Sequence, residues 1–172
     1  TLVEKDADIA TGTSKANSGI IHAGYNASPD TLKGNLNIAA NSKFDKLCKD
    51  LKVPFDRSGS LVVGFNDNDL KKLKKKKENG EKQGVQNLEI VGREKLFELE
   101  PNLNKKAKYA LLAPTAGIIS PYELAMAYAD NAVINGAKVL LETEVQDIIF
   151  EKNGKNNNIK KVITSNINIK PE

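Results

Sequence analysis

Apolar residues recur at three- and four-residue steps from Leu32 through Leu36, Ala40, Phe44 and Leu47 to Leu51. That spacing predicts one amphipathic helix of about five turns. Ser28-Pro29 opens it, since Ser caps well and Pro suits the first helical position, and Pro54 ends it. Gly59–Phe65 is a short apolar run between turn residues and reads as a strand. Asn66-Asp67 starts a second helix with Leu70 and Leu73 on its buried face and Gly80 and Gly84 at its end. Leu88–Val91 reads as a strand, and Arg93–Leu99 as a short helix stopped by Glu100-Pro101. Tyr109–Ala113 is a further strand, with a turn over Pro114–Gly117. Ser120-Pro121-Tyr122-Glu123 has the form of a capping box, and the helix it opens runs to Gly136. Lys138–Glu142 and Val145–Glu151 read as strands. Asn153-Gly154 reads as the turn that brings Ile159–Thr164 back as a hairpin. At the start, Thr1–Lys5 reads as the end of a buried strand that stops at a carboxylate.

This mixture of strands and helices defines an α/β (α+β) chain. The expected division is discontinuous: residues 1–54 and 114–172 in one partial domain, with 55–113 as a second partial domain inserted between them.

Composition narrows the function classes. The 172 residues carry 26 cationic and 22 acidic side chains, for a net charge of +4. Only Arg57 and Arg93 among the cations are arginines. Phosphate-reading surfaces favour the planar Arg fork, so this lysine-rich, asparagine-rich balance speaks against nucleic acid as a partner. Cys48 is the lone cysteine, so no disulfide forms within the chain, and a reducing cytoplasm is the expected compartment. No apolar run reaches the ~18 residues of a membrane span, and Thr1–Lys5 does not open a signal peptide. The first residue is not Met, so a processed or excised chain is expected.

Several residues suggest chemistry, each beside a plainer alternative. Glu4 ends the first strand, where an acidic residue can accept hydrogen bonds from a ribose; a solvated carboxylate is the alternative. Thr11–Gly19 is rich in hydroxyls, an amide and bare backbone, which can donate to a pyrophosphate or form an ordinary polar loop. His22 is the lone histidine. Imidazole is a common proton carrier, but between Ile21 and Ala23 a hydrogen-bonded structural histidine is the plainer reading. Neither it nor Cys48 has companions for a metal site. Cys48 beside Leu47 reads as a buried, inert thiol. Lys71–Lys77 reads as a solvated helix face, or as a docking surface for an acidic partner or a membrane.

The string Glu4–Tyr25, with Asn17-Ser18-Gly19-Ile20-Ile21-His22-Ala23-Gly24 inside it, resembles FAD-dependent oxidoreductases of the D-amino-acid-oxidase-like superfamily. Within it, the chain is most similar to the FAD-dependent glycerol-3-phosphate dehydrogenases, beside the L-2-hydroxyglutarate oxidases. Val53-Pro54-Phe55, Gly59–Val63, Glu98–Asn102, Ala113–Ile118, Pro121–Leu124 and Thr143-Glu144-Val145 continue the likeness in family order, to about residue 150.

The resemblance implies that residues 1–54 and 114–172 are part of a Rossmann-like FAD-binding domain and that 55–113 are part of a mixed-sheet substrate domain. It implies that Glu4 holds the adenosine ribose and that Thr13 and Ser14 line the pyrophosphate or ribityl chain. Lys15, Asn17, Ser18 and Gly19 approach the isoalloxazine ring, and Val145 presents its backbone to the adenine. His22 becomes the catalytic candidate on the substrate side of the flavin. The implied reaction oxidises a secondary alcohol, most readily sn-glycerol 3-phosphate to dihydroxyacetone phosphate, with L-2-hydroxyglutarate as the alternative substrate. Electrons pass on to a quinone or to oxygen. The location is cytoplasmic or peripheral to the inner face of the membrane. The family's Gly-rich phosphate turn has no match in the chain, so an internal fragment, inactive and flavin-free alone, is expected. Arg57 is the local candidate for binding the substrate's anion. A non-catalytic binding piece using the lysine helix is the remaining alternative.

Overall fold

The computed structural model describes residues 1–153 and 156–169. In chain order the first half contains β1 (Leu2–Val3), β2 (Ile20–Ile21), α1 (Leu32–Asn41), α2 (Phe44–Leu51), β3 (Phe55–Asp56), β4 (Ser60–Gly64) and α3 (Asp67–Lys82). The second half contains β5 (Glu89–Gly92), α4 (Arg93–Leu99), β6 (Tyr109–Ala113), β7 (Gly117–Ile119), α5 (Pro121–Ile134), β8 (Val139–Leu140), β9 (Val145–Asn153), β10 (Asn156–Thr164) and β11 (Asn168–Ile169). The α/β (α+β) class holds. Gly154, half of the expected hairpin turn, lies outside the described residues.

Contacts divide the chain into two compact units, residues 18–120 and residues 1–17 with 121 onward. The contact unit 18–120 contains residues 55–113 and extends beyond them on both sides. Its extra parts are tied in by specific bonds. β2 and β3 pair on either side of β7, and Asn41 Nδ2 donates to His22 O and to Thr115 O, both at 2.9 Å.

In the unit 18–120, β4 and β5 flank β6 in an antiparallel sheet. Its strands alternate so that Leu111 and Ala113 point to one cluster, with Ala23, Tyr25, Leu73, Val85 and Leu88. Ala110 joins Val91, Leu96 and Ala107 in the other. This period-two alternation covers both faces of the sheet. α3 starts as expected: Asn66 Oδ1 accepts from Asp69 N at 3.0 Å, and Leu73 is buried.

The first helix departs from expectation. It is two helices, broken at Ser42-Lys43, and it opens at Thr31, whose Oγ1 accepts from Gly34 N at 3.1 Å. Leu32 and Leu36 are exposed, and the side turned inward presents Gly34, Ile38, Asn41 and Cys48. Arg57 explains the orientation. Its guanidinium grips both Asp45 carboxylate oxygens, the Asn41 side chain and carbonyl, and the carbonyl of Thr115. The same guanidinium stacks 5.0 Å from the Phe55 ring centre. Satisfying that fork turns the polar Asn41 inward at the expense of Leu36.

In the other unit, β1 and β8 form a parallel pair, and β9, β10 and β11 an antiparallel sheet. The opening strand is not buried, since Leu2 is exposed. α5 begins at Pro121 as read from sequence, yet it contains no buried residue.

Candidate functional site

Glu4 stands at the carboxyl end of β1, beside the end of its parallel neighbour. Its backbone N–H donates to Leu140 O at 2.9 Å, and its carbonyl accepts from Thr143 N at 2.7 Å. Thr143 is buried, with its hydroxyl donating to Leu141 O at 2.7 Å. The turn thus brings the segment leading to Val145 against Glu4, two candidate residues that lie far apart in sequence. Glu4 Oε1 accepts from Asp6 N at 3.0 Å. Oε2 has no hydrogen-bond partner among the described residues, so one carboxylate oxygen remains open to a donor.

After Glu4 the chain is irregular but internally tied. Thr11 Oγ1 donates to Asp6 Oδ2 at 2.5 Å, and Tyr122 Oη to Asp8 Oδ2 at 3.2 Å. The Asp8 carboxylate, as a nearby negative charge, raises the Tyr122 phenol above its ordinary range, helped by their hydrogen bond. Thr13, Ser14, Lys15 and Asn17 are exposed. Asn17 Nδ2 donates to the carbonyls of Thr13 and Ser14, at 3.2 and 2.9 Å. Those bonds leave both hydroxyls unengaged and fix the backbone that carries them. Lys15 Nζ sits 6.0 Å from the Tyr122 ring centre.

Ser18 and Gly19 open the other unit. Gly19, with φ +63°, turns the chain into β2, and its carbonyl accepts from Ile119 N at 2.9 Å. His22 follows directly after β2. Its backbone is held by Asn41, while its imidazole is exposed and has no hydrogen-bond partner among the described residues.

A cavity of about 170 Å³ lies beside His22, lined also by residues 24–27, Lys33 and Asn37. α3 holds its loop wall. Asn79 Nδ2 donates to Tyr25 O and Ala27 O, both at 3.0 Å. Gln83 Nε2 donates to Gly24 O at 3.1 Å and to Ala27 O at 2.8 Å. Lys76 Nζ reaches Asn26 Oδ1 at 2.5 Å. Gly24 is obligatory here: its φ is +117°, and an added Cβ meets Ile38 Cδ1 at 2.1 Å.

Sequence reasoning missed Asn41, Asn79 and Gln83. Asn79 and Gln83 are one turn apart on a helix dominated by lysines, and that i, i+4 amide pair was the available signal. The lysine run itself is partly committed: Lys77 pairs with Glu81, and Lys76 with Asn26. Arg57 is fully engaged by Asp45, Asn41 and Thr115, so it does not serve as a free anion-binding group. Its guanidinium holds the Asp45 carboxyl below the usual range, chiefly by hydrogen bonding. Cys48 is buried, and desolvation pushes its thiol up, which makes it the inert thiol expected. No cluster of His, Cys, Asp and Glu suited to a metal occurs among the described residues.

Residues 1–168 match the family described as FAD dependent oxidoreductase. The chain belongs to that family. Glycerol 3-phosphate dehydrogenase from Caloramator mitchellensis is 51% identical over 147 residues, covering 86% of this chain and 31% of the relative. L-2-hydroxyglutarate dehydrogenase from Nematostella vectensis is 29% identical over 146 residues, covering 85% of this chain and 32% of the relative. Among solved structures, a dithionite-reduced L-alpha-glycerophosphate oxidase from Mycoplasma pneumoniae with FAD bound superposes with a TM-score of 0.83. That match is 27% identical and covers 96% of this chain and 43% of the other. A glycine oxidase from Bacillus cereus superposes with a TM-score of 0.84 at 26% identity, covering 98% of this chain and 45% of the other. The chain thus spans about a third of the length of the curated relatives it matches.

For this family member the open Glu4 oxygen has chemical meaning. A carboxylate acceptor at the end of a parallel strand suits a ribose hydroxyl, and the exposed Thr13 and Ser14 suit a phosphate chain. These residues fit FAD.

Proposed function

We propose that this chain serves FAD-dependent oxidation of an anionic secondary alcohol, with sn-glycerol 3-phosphate going to dihydroxyacetone phosphate. The observation that carries the reading is the 51% identity to a glycerol 3-phosphate dehydrogenase, against 29% to an L-2-hydroxyglutarate dehydrogenase. The exposed imidazole of His22 beside a cavity supports it. Glu4 holds the adenosine ribose, Thr13 and Ser14 lie along the phosphates, and the Val145 backbone meets the adenine. Lys15, Asn17, Ser18 and Gly19 border the ring. In functional terms, residues 1–54 and 114–172 form the flavin part and 55–113 the substrate part, with His22 and its cavity in the first segment turned to the substrate.

FAD, when bound, supplies the two-electron acceptor for the carbinol hydride. His22 takes the proton from the substrate hydroxyl, a role open to an imidazole within hydrogen-bond reach of that oxygen. Asn41 fixes the backbone of His22, and β2 sets the direction from which its side chain leaves. The electrons pass on to a quinone or to oxygen. No helix among the described residues is long and apolar enough to cross a membrane. The setting we propose is cytoplasmic, or peripheral to the inner face of the membrane.

The test uses the complete gene product loaded with FAD, assayed with an artificial acceptor against glycerol 3-phosphate and L-2-hydroxyglutarate in parallel. A higher kcat/KM for glycerol 3-phosphate is expected, and the reverse order reassigns the substrate. Replacing His22 by Asn is expected to lower kcat by about 10²–10⁴-fold, with flavin content unchanged. Full activity in that variant removes His22 from the proton transfer.

A further inference from the structure

The cavity beside His22 is lined by two side chains that carry N–H donors from α1, Lys33 and Asn37. Its wall over residues 24–27 offers few free acceptors, because Asn79 and Gln83 already occupy the carbonyls of Gly24, Tyr25 and Ala27. Asn26 Oδ1 is likewise taken, by Lys76. No carboxylate lines the cavity. From α1, Lys33 and Asn37 face it, one turn apart and therefore on one side of the helix. Lys33 makes no ion pair among the described residues. Asn37 makes no side-chain hydrogen bond there, and its Oδ1 is sealed from solvent. With that oxygen turned inward, the amide Nδ2 is the group left to meet a ligand. The volume of about 170 Å³ equals on the order of five waters, which suits a small polyol or hydroxy acid.

We infer that Lys33 and Asn37 form the anion subsite of the His22 cavity, binding the phosphate or carboxylate of the alcohol while His22 faces its hydroxyl. The assignment rests on the proposed oxidation of an anionic alcohol and names the side chains that recognise the charge. Lys33 supplies the ammonium, and Asn37 Nδ2 adds a directed donor. The ammonium of Lys76, held at Asn26, adds to the positive field. Arg57 takes no part, being spent on Asp45, Asn41 and Thr115.

The test is an NMR titration of the isotopically labelled 172-residue chain with sn-glycerol 3-phosphate, inorganic phosphate, L-2-hydroxyglutarate and glycerol. The anionic probes are expected to shift the Asn37 side-chain amide and the His22 ring signals, and glycerol is not. Lys33→Met is expected to weaken the anions by about tenfold or more, and Lys33→Arg to restore most of it. Lys33 is an exposed helix residue, so the fold survives either change, and an unchanged amide spectrum checks this. Tighter binding of the phosphates assigns the subsite to a phosphate, and tighter binding of L-2-hydroxyglutarate assigns it to a carboxylate. The subsite is overturned if glycerol and the anions act alike, or if Lys33→Met binds them as the parent chain does. Turnover in the FAD-loaded gene product is read separately. Lys33-dependent binding without any alcohol oxidation overturns the reaction and leaves the subsite standing.

Discussion

The two units differ in what holds them. Every buried apolar side chain among the described residues lies within 18–120. Leu96, Leu111 and Val91 are fully enclosed there, each adding about 1.5–3 kcal/mol of burial. In residues 1–17 with 121 onward, the buried side chains among the described residues are Thr143 and Thr164. That unit is held by hydrogen bonds: Thr143 to Glu4 and Leu141, Thr164 to Ile167, Asn166 to Glu142. Hydrogen bonds in contact with water each contribute about 0.5–1.5 kcal/mol net, against ~1–2 kcal/mol of backbone entropy per ordered residue. The difference teaches that the cavity and His22 stand on a self-sufficient core. The proposed nucleotide edge at Glu4 rests on a frame that its own residues secure weakly.

The strongest way to break the contrast is Gly24→Val. The branched side chain collides with Ile38 and is forced to a positive φ, so a loss of more than about 4 kcal/mol is expected. Chemical denaturation followed by circular dichroism reads it, and a stable variant contradicts the described packing. Next comes Leu96→Ala, which empties a fully buried position and is expected to cost about 2–5 kcal/mol. Its fingerprint is accelerated amide exchange across β5 and β6, with β9 and β10 unaffected.

Asp45→Asn sharpens the comparison through pH. Asp45 is depressed by Arg57, so its stabilisation is complete above the ordinary carboxylate range and fades as acid protonates the folded state. The Asp45 side chain is largely exposed, and a loss below about 1 kcal/mol is expected at neutral pH. Melting curves of variant and parent should converge as the pH falls below the folded value of Asp45, and a constant gap contradicts the pairing. The smallest effect belongs to Ile134→Ser at the end of α5. Ile134 is 82% exposed, so its melting temperature should shift by the equivalent of no more than ~0.5 kcal/mol. A large loss there reveals apolar burial in the weaker unit.

Legibility from sequence followed the range of the forces involved. α4 and β6 have the bounds read from the chain, and α3 and α5 begin where Asn66 and Pro121 say they should, because caps and turns act within a few residues. The break between α1 and α2 was not legible. Ser42 and Lys43 keep right-handed backbone angles, so the apolar period runs across them unbroken. The exposure of Leu32 and Leu36 came from Arg57 claiming Asn41, a contact across 16 positions. β2, β3 and β7 are two or three residues each, too short for alternation to register. Of the proposed site, Glu4 and His22 stand out in the sequence by residue type and position, and again by resemblance. Lys33, Asn37 and the Asn79–Gln83 clamp were hidden in a chain where lysine and asparagine are commonplace.

The clamp also sets a chemical clock. Asn79 is followed by Gly80, a pair whose side-chain amide is readily attacked by the next backbone nitrogen, losing ammonia to give a cyclic imide that water opens to aspartate or isoaspartate. Gly80 has no substitute, because an added Cβ meets Leu88 Cδ1 at 2.4 Å and Tyr25 Cβ at 2.9 Å. The chain therefore carries a labile amide at the position that secures the wall beside His22. The helix protects it while folded, since the attacking nitrogen is locked in regular backbone and Nδ2 is bound to two carbonyls. Each opening of α3 exposes the amide to hydrolysis. An aspartate in its place turns a carboxylate toward the carbonyls of Tyr25 and Ala27, where a donor had been. Loss of this amide is thereby coupled to the opening of α3 and is read as a unit gain of negative charge at Asn79.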